Sequence, residues 1–277
     1  EQYIPIPPTA EQRRIVATLE DHLSRLDTGS SSISHAQRRS ALLVSSIRNA
    51  VVNDSEAEQK PLGELIIRIE AGKSFAAESR PAAPDEWGII KVSAMTWGEF
   101  RAQENKAVPP GRSIDPRFEI KPGDILLSRA NTEQYVGASV LVRHTRPKLL
   151  LSDKSLRIVP RDDIDREWLI QVLSSPLVRK QIAARATGTK DAMRNISQDA
   201  LKEIKIPYVA LEKQREIAAR IRDLLDSIFH LGTQIKRAKE KEKSLRRSLL
   251  EAAFTGQLVP QNPKDEPASV LLERIKA

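Results

Sequence analysis

The second half of the chain contains a long run of apolar residues that recur alternately four and three positions apart. The run extends over residues 217–252, and Glu242 is its polar interruption. An apolar period of 3.5 residues is typical of a helix that packs along a partner helix. About 43 residues at 1.5 Å each would extend roughly 64 Å, so we predict one long paired helix. The residues predicted to pair are Ile217, Ile221, Leu224, Ile228, Ile235, Leu245 and Leu249.

The first fifty residues repeat this pattern at an offset of 202 positions. Residues 4–50 align with residues 206–252 without gaps, and both stretches share an Ile-Pro start followed by a Gln-Arg pair. Because proline disfavours helix at the residue before it, each copy predicts a long helix that begins after the Ile-Pro segment. His22, Gly29 and Ser40 weaken the first apolar seam, and we expect the three serines at 30–32 to break that helix.

The economical hypothesis is that the two helices pair with each other. An arrangement in which each helix packs on its own neighbour stays open. The chain also begins at Glu1, without methionine and inside the repeated motif. We therefore expect it to be cut from a longer protein, with a second middle segment before residue 1.

Between the two copies the pattern changes to short β-type runs separated by turns. Such runs occupy residues 87–92, 123–128, 137–142 and 155–159. Residues 165–186 predict a helix with one apolar face and a joint at its single proline. The middle segment is therefore predicted to be a compact α/β or α+β domain.

Three loops of this domain combine glycine or small polar residues with basic side chains. Residues 71–74 offer backbone amides and an ammonium, and residues 128–132 place a guanidinium beside an amide that could read an adenine edge. Residues 187–196 offer cations and hydroxyls for phosphates. Tyr135 and Trp97 could stack on bases. Taken singly, each loop is better explained as an exposed polar turn, and packing is the simpler role for the two aromatic side chains.

The charge of the chain agrees with a polyanionic partner but does not require one. The net charge is +8, and residues 129–194 hold 13 basic and 7 acidic side chains, so a local basic surface is expected there. The alternative is a solvated charged surface. The chain has no cysteine and no apolar run long enough to span a membrane, and its first residues lack the basic and then apolar pattern of a signal peptide. These features favour a soluble protein of the cytoplasm.

No pattern for catalysis is found. Gly72, Lys73 and Ser74 suggest a phosphate-binding loop, but the glycine required five positions earlier is Ile67. The four histidines are scattered without metal-ligand spacing, and no nucleophile elbow or adenine-methyltransferase motif occurs. We therefore predict neither a catalytic site nor a metal site in this chain.

Four stretches resemble the specificity subunits of type I restriction-modification systems. They are IPYVALEKQREI at 206–217, LLEAAFTGQLV at 249–259, the loop TGTK at 187–190 leading to NIS at 195–197, and PGDIL at 122–126. The resemblance covers nearly the whole chain. It implies an α/β (α+β) target recognition domain flanked by two long α-helices that pair as an antiparallel coiled coil. The implied divisions are a central helical spacer region at 1–56, the recognition domain at 57–205 and a distal helical region with a tail at 206–277.

The resemblance also implies a function without catalysis in this chain. One recognition domain would read one half of a split site in double-stranded DNA, and the helices would set the spacing and dock methyltransferase subunits. Those subunits would bind S-adenosylmethionine, and a motor-nuclease subunit would join for cleavage. The residues expected to contact DNA are Lys73, Ser74, Lys91, Arg129, Asn131, Thr132, Tyr135, Lys154, Thr187, Thr189, Lys190, Arg194 and Asn195.

Two other interpretations stay open at this point. The segment could belong to a single-chain restriction-modification enzyme whose methyltransferase and nuclease parts lie upstream. It could also be a helical scaffold that assembles proteins without touching bases, an interpretation that the heptad seam supports.

Overall fold

A computed structural model of the chain describes residues 6–52, 57–74, 77–188 and 193–276. Helices and short strands alternate through these ranges. The helices are α1 (Thr9–Val52), α2 (Leu62–Leu65), α3 (Arg166–Leu173), α4 (Pro176–Arg185), α5 (Gln198–Lys202), α6 (Leu211–Phe254) and α7 (Ala268–Lys276). The strands are β1 (Glu58–Pro61), β2 (Ile66–Ala71), β3 (Gly88–Ile90), β4 (Asn105–Ala107), β5 (Ile125–Ser128), β6 (Ala130–Asn131), β7 (Ser139–Leu141), β8 (Leu149–Leu150), β9 (Ser155–Pro160), β10 (Arg194–Asn195) and β11 (Lys205–Tyr208).

The chain forms two compact units. One contains the described residues of Glu1–Leu43 and Leu225–Ala277, and the other is Val44–Leu224. Both long helices therefore contribute residues to both units. The boundaries at 56/57 and 205/206 stay predictions from the sequence.

The two long helices pack against each other in antiparallel directions. In the first unit, Arg246 of α6 forms an ion pair with Asp27 of α1. In the second unit, Ile47 of α1 and Ile221 of α6 line one groove. Higher numbers on one helix thus meet lower numbers on the other, which confirms the predicted antiparallel pair.

The two copies of the repeat also share a local hydrogen bond. Gln12 Nε2 donates to the carbonyl oxygen of Pro7 at 2.9 Å, and Gln214 Nε2 donates to that of Val209 at 2.8 Å. Each glutamine reaches back five residues across the start of its helix, where backbone carbonyl and amide groups need partners. The shared Gln-Arg motif therefore marks the same structural position in both copies.

The serines at 30–32 do not break the first helix, so that expectation was wrong. Helix α1 continues from Thr9 to Val52. Thr28 Oγ1 donates to the carbonyl oxygen of Ser24 at 3.0 Å, and Ser32 Oγ donates to that of Thr28 at 3.1 Å. Hydroxyls that bond to the carbonyl one turn back are compatible with a continuous helix.

Of the seven residues predicted to pair on α6, five are covered and two are exposed. Ile221 is 3% exposed, and the half-buried members are Ile217, Ile228, Ile235 and Leu249. Leu224 is 42% exposed and Leu245 is 45% exposed, whereas the next residues, Leu225 and Arg246, are half-buried. The apolar stripe is wider than a two-helix contact can cover, so one flank of it stays accessible. The same shift occurs on α1, where Leu43 is exposed and Val44 is half-buried.

The middle of the chain forms the mixed α/β domain that the strand pattern predicts. Its main sheet has the order β2-β9-β5-β7, and a smaller sheet has the order β4-β3-β8. A third pair, β1 with β11, joins the two ends of the domain. A core cluster with residues from both sheets contains Leu126 of β5, Leu149 of β8 and the neighbouring Met95.

The predicted helix at 165–186 forms two helices with a cap at each start. Asp165 accepts a hydrogen bond from the backbone N–H of Trp168 at 2.8 Å and begins α3. Ser175 accepts from the backbone N–H of Val178 at 3.3 Å and begins α4, with Pro176 as its first residue. Capping side chains and an N-terminal proline explain the joint.

A buried arginine holds the register of the main sheet. Arg157 on β9 is 8% exposed, and its guanidinium donates to Asp124 at 2.9 Å and to Glu70 at 2.8 Å. Burial raises the pKa of Asp124, and Arg157 opposes that rise. Because the ion pairs join β2, β9 and the start of β5, they fix how these strands align. Among the described helices, none has the length and apolarity to cross a membrane.

Candidate nucleic-acid interface

The strand register brings the predicted loops to one end of the main sheet. Ala71 at the end of β2 pairs with Leu156 at the start of β9, and Ser128 at the end of β5 pairs with Ser155. The residues beyond these strand ends therefore meet. We call this surface the loop edge and define it as residues 71–74, 128–135, 152–154, 187–188 and 193–195.

Two loops from distant parts of the sequence are joined within the loop edge. Asn195 of β10 pairs with Ala130 of β6, and Arg129 Nε donates to Asn195 Oδ1 at 3.2 Å. The backbone N–H of Ile196 donates to the carbonyl oxygen of Arg129 at 3.0 Å. This pairing places a guanidinium and a side-chain amide next to each other at a partly exposed position.

Lys154 lies on the other side of Arg129. Its carbonyl oxygen accepts a hydrogen bond from the backbone N–H of Arg129 at 2.9 Å, and its side chain is exposed. The turn that carries Lys154 is held by Ser152 and Ser155, whose hydroxyl oxygens are 2.8 Å apart. The backbone thus places Lys154 beside the Arg129 loop, and its side chain is in solvent.

Lys73 and Ser74 reach the same edge through a close contact of two backbones. Lys73 forms a parallel bridge with Ser152, and both Lys73 and Ser74 are exposed. A Cβ atom on Gly72 would lie 2.1 Å from the carbonyl oxygen of Leu151, so only glycine fits there. Lys73 Nζ lies 5.3 Å from the centre of the Phe118 ring, where a cation–π contact orients the ammonium.

Asn131, Thr132 and Tyr135 form the turn after β6. Asn131 Nδ2 donates to Ser128 Oγ at 3.3 Å, and Asn131 Oδ1 accepts from the backbone N–H of Thr132 at 2.9 Å. The backbone N–H of Tyr135 donates to the carbonyl oxygen of Thr132 at 3.0 Å. The amide of Asn131 is therefore occupied by the turn itself, while Thr132 is exposed and Tyr135 is half-buried.

Thr187 and Asn195 form an antiparallel bridge. The backbone N–H of Asn195 donates to the carbonyl oxygen of Thr187 at 2.7 Å, and the reverse bond measures 2.9 Å. Gly188 has a φ of 144°, and a Cβ atom there would lie 2.4 Å from the carbonyl oxygen of Met193. The predicted residues Thr189 and Lys190 lie outside the described residues.

Two of the residues predicted to contact DNA, Arg194 and Lys91, bind other parts of the protein in this structure. The Arg194 guanidinium donates to the carbonyl oxygens of Ala183 and Ala186, so it fastens β10 to the end of α4. Lys91 lies at the end of β3 in the smaller sheet, with its Nζ 3.8 Å from a carboxylate oxygen of Glu104. No described contact joins Lys91 to the loop edge.

Arg179 contributes to the loop edge although the sequence does not indicate it. Its Nη2 donates to the carbonyl oxygen of Gln134 at 2.9 Å, and burial lowers the pKa of Arg179 to about 10. The residue lies on α4, 45 positions away along the chain, so no local motif predicts the contact. Arg179 therefore supports the turn at 131–135 from beneath.

The side chains of the described loop edge are mainly cations, amides and hydroxyls, together with two exposed carboxylates, Glu133 and Asp153. No group of three or more His, Asp or Glu side chains in that part is arranged to hold a metal ion. Exposed ammonium groups, a guanidinium and side-chain amides are the groups that bind phosphates and base edges. The fold and the loop edge define a class of protein in which a mixed α/β domain with a polar, basic loop surface stands between two copies of a long helix.

Comparison with known proteins identifies the family. The sequence model of the type I restriction modification DNA specificity domain matches residues 103–240. The chain is 31% identical over 195 residues to the EcoEI specificity subunit of Escherichia coli, covering 70% of this chain and 33% of that protein. It is 25% identical to the EcoKI specificity subunit of Escherichia coli K12, covering 99% of this chain and 63% of that protein. The chain belongs to the family of type I restriction-modification specificity subunits.

Solved structures share the fold. A chain from a study of complex assembly and conformational transition in the type I R-M system gives a TM-score of 0.69 at 23% identity, over 92% of this chain and 62% of that one. The HsdS subunit from Thermoanaerobacter tengcongensis gives a TM-score of 0.55 at 22% identity, over 92% of this chain and 60% of that one. The chain therefore spans less than two thirds of the length of these relatives.

Proposed function

We propose that this chain reads one half of a bipartite site in double-stranded DNA through its loop edge. The observation that carries the proposal is the meeting of Lys73, Arg129 and Lys154, which come from three separate loops, at one end of the main sheet. Ammonium groups fix a protein on the phosphate backbone, and a guanidinium beside an amide can distinguish base edges. The joined pair Arg129 and Asn195 supplies that arrangement.

Binding of the assembled protein to randomised duplexes tests this function. In complex with its methyltransferase partner, the protein is expected to enrich one short sequence, and Arg129→Ala is expected to relax the preference at one position. Lys91→Ala is the matched control, because Lys91 is paired with Glu104 away from the loop edge. Absence of enrichment by the wild-type complex, or loss of preference in Lys91→Ala alone, would contradict the assignment.

Helix α6 is proposed to dock the methyltransferase subunits along its accessible apolar flank. Leu224, Leu231 and Leu245 are separated by 7 and 14 residues, so they share one heptad position, and they are 42%, 45% and 45% exposed. The equivalent positions in the first copy include His22 and Gly29, so only the second copy presents a leucine stripe. Exposed apolar stripes of this kind are typical of helix-partner surfaces.

The remaining partners follow from this assignment. S-adenosylmethionine would be bound by the methyltransferase subunit, and this chain would hold no cofactor. A motor-nuclease subunit would join the complex for cleavage, and the complex would work in the cytoplasm. A scaffold without base reading predicts the same docking but no enriched sequence, so the randomised-duplex experiment distinguishes the two.

A further inference from the structure

A cavity of about 220 Å³ lies at the other end of the main sheet from the loop edge. Strand β5 starts at Ile125, which pairs with Leu141, and the cavity is lined by Leu141 and the two residues that follow Val142. We call it the Arg48 cavity. Its polar lining consists mainly of Arg48, Arg143, His144, Gln171 and Ser174.

Arg48 has an unusual environment for a guanidinium. It lies near the end of α1, and its Nε donates to Gln171 Oε1 at 3.2 Å, a neutral partner. Among the described residues, Arg48 forms no ion pair, and burial lowers its pKa. Because arginine stays protonated in proteins, this half-buried cation keeps its charge and bears a cost of desolvation. A bound anion would offset that cost.

The other groups around the cavity favour an oxyanion. Arg143 supplies a second guanidinium, although it also binds Glu167, and Ser174 supplies a hydroxyl. Glu99 also lines the cavity, and its carboxylate is paired with Arg101 at 3.0 Å. One cation therefore stays without a carboxylate partner at the wall of a small polar cavity.

We infer that the Arg48 cavity binds a phosphate group, with the guanidinium of Arg48 as its main ligand. The volume suits a compact anion better than a drug-sized ligand, for which pockets usually exceed about 300 Å³. The phosphate could be free in solution or carried by a nucleotide, because the chemistry of recognition is the same. The site is separate from the loop edge and does not depend on the proposed reading of DNA.

Calorimetric titration of the chain with inorganic phosphate in chloride buffer tests the inference. Saturable binding is expected, and Arg48→Gln is expected to weaken it by about tenfold or more, since a charge-assisted hydrogen bond is lost. Arg166→Gln is the matched control: it removes an exposed arginine of α3 that does not line the cavity. Parallel titrations with adenosine monophosphate distinguish a nucleotide-borne phosphate from a free one.

Thermal unfolding checks that the variants fold and provides a second readout. Phosphate is expected to raise the melting temperature of the wild type and of Arg166→Gln but not that of Arg48→Gln. If Arg48→Gln does not fold, Arg143→Gln replaces it and is expected to weaken phosphate binding several-fold. No saturable binding of phosphate or adenosine monophosphate at millimolar concentration would overturn the inference. Unchanged affinity in a folded Arg48→Gln, or in the Arg143→Gln that replaces it, would also overturn it.

Discussion

Arg129 Nε donates to Asn195 Oδ1 at 3.2 Å, although 66 positions separate the two residues along the chain. The contact joins the loop after β5 to strand β10. Ile196 and Arg129 also share a backbone hydrogen bond, so the two chain segments that carry these side chains are held together. We therefore expect any role of Arg129 in base reading to depend on Asn195.

Replacing Asn195 by alanine is expected to release the Arg129 side chain. An arginine with more freedom discriminates bases less well, so preference at one position of the site should fall by about 1–3 kcal/mol. Asn195→Asp retains an acceptor for Arg129 and should preserve the preference while weakening overall affinity through charge repulsion. Binding measured on a panel of single-base variants compares the two. Equal preference in wild type and Asn195→Ala would show that the contact does not serve reading.

Gly72→Ala is expected to destabilise the domain. The added Cβ would lie 2.1 Å from the carbonyl oxygen of Leu151 and 2.4 Å from that of Ser152, so the strand end must move. Overpacking costs about 1–3 kcal/mol, and a clash with backbone belongs at the upper end. Gly29→Ala in α1 meets nothing within 4 Å and should stabilise the helix by about 1 kcal/mol. Urea unfolding of both variants measures the two opposite shifts.

The repeat and the strand pattern predicted the fold because both are periodic and local. The offset of 202 residues indicated two equivalent helices, and Gln12 and Gln214 confirm the equivalence with matching hydrogen bonds. The short β-type runs located β3, β5, β7 and β9 within a few positions. The predicted helix break at residues 30–32 was wrong because helix propensity does not show where a serine hydroxyl will bond. The Ser32 hydroxyl bonds to the carbonyl oxygen of Thr28 within a continuous helix.

The candidate interface was less accessible to sequence reasoning. Polar loops can be recognised singly, but their meeting depends on the register between β2, β9 and β5, which no sequence pattern fixes. Lys91 and Arg194 have the right chemistry, yet they bond to Glu104 and to backbone carbonyls of α4. Arg179 belongs to no sequence motif, and only its contact with Gln134 in the structure shows that it supports the loop edge.

Acid is expected to weaken the loop that covers β3. Arg80 donates to Glu86 at 2.6 and 2.8 Å, and together with the backbone N–H of Ala83 it lowers the pKa of Glu86 to about 2. A carboxyl group whose pKa is lower in the folded state stabilises that state above its unfolded value near 4.5. This contribution is lost as the pH falls towards 2.

Glu86→Gln should therefore reduce the pH dependence of unfolding between pH 4.5 and 2. Glu78→Gln is the control, because Glu78 also binds Arg80, at 2.7 Å, but has no backbone N–H partner among the described hydrogen bonds. Unfolding curves at several pH values compare the slopes. An identical slope in wild type and Glu86→Gln would argue against the role given to this carboxylate.

Leu245→Asp is expected to separate docking from folding. Leu245 is 45% exposed on the accessible flank of α6, so a carboxylate there stays in solvent when the chain is alone, and the melting temperature should change little. In the complex the same carboxylate would enter an apolar contact, where an unpaired charge costs several kcal/mol. Association with the methyltransferase subunit should therefore weaken strongly, and analytical sedimentation measures it.

Two further variants separate docking from other effects of an added charge. Ile221→Asp places its charge at a position only 3% exposed between α1 and α6, so it should lower the melting temperature of the chain itself. Ser244→Asp adds the same charge one residue before Leu245 on an exposed position, and it should leave both properties unchanged. If Leu245→Asp lowered the melting temperature as much as Ile221→Asp, Leu245 would pack between α1 and α6 and would not be free for docking. If Ser244→Asp also abolished binding of the methyltransferase subunit, electrostatic repulsion rather than the leucine stripe would govern docking.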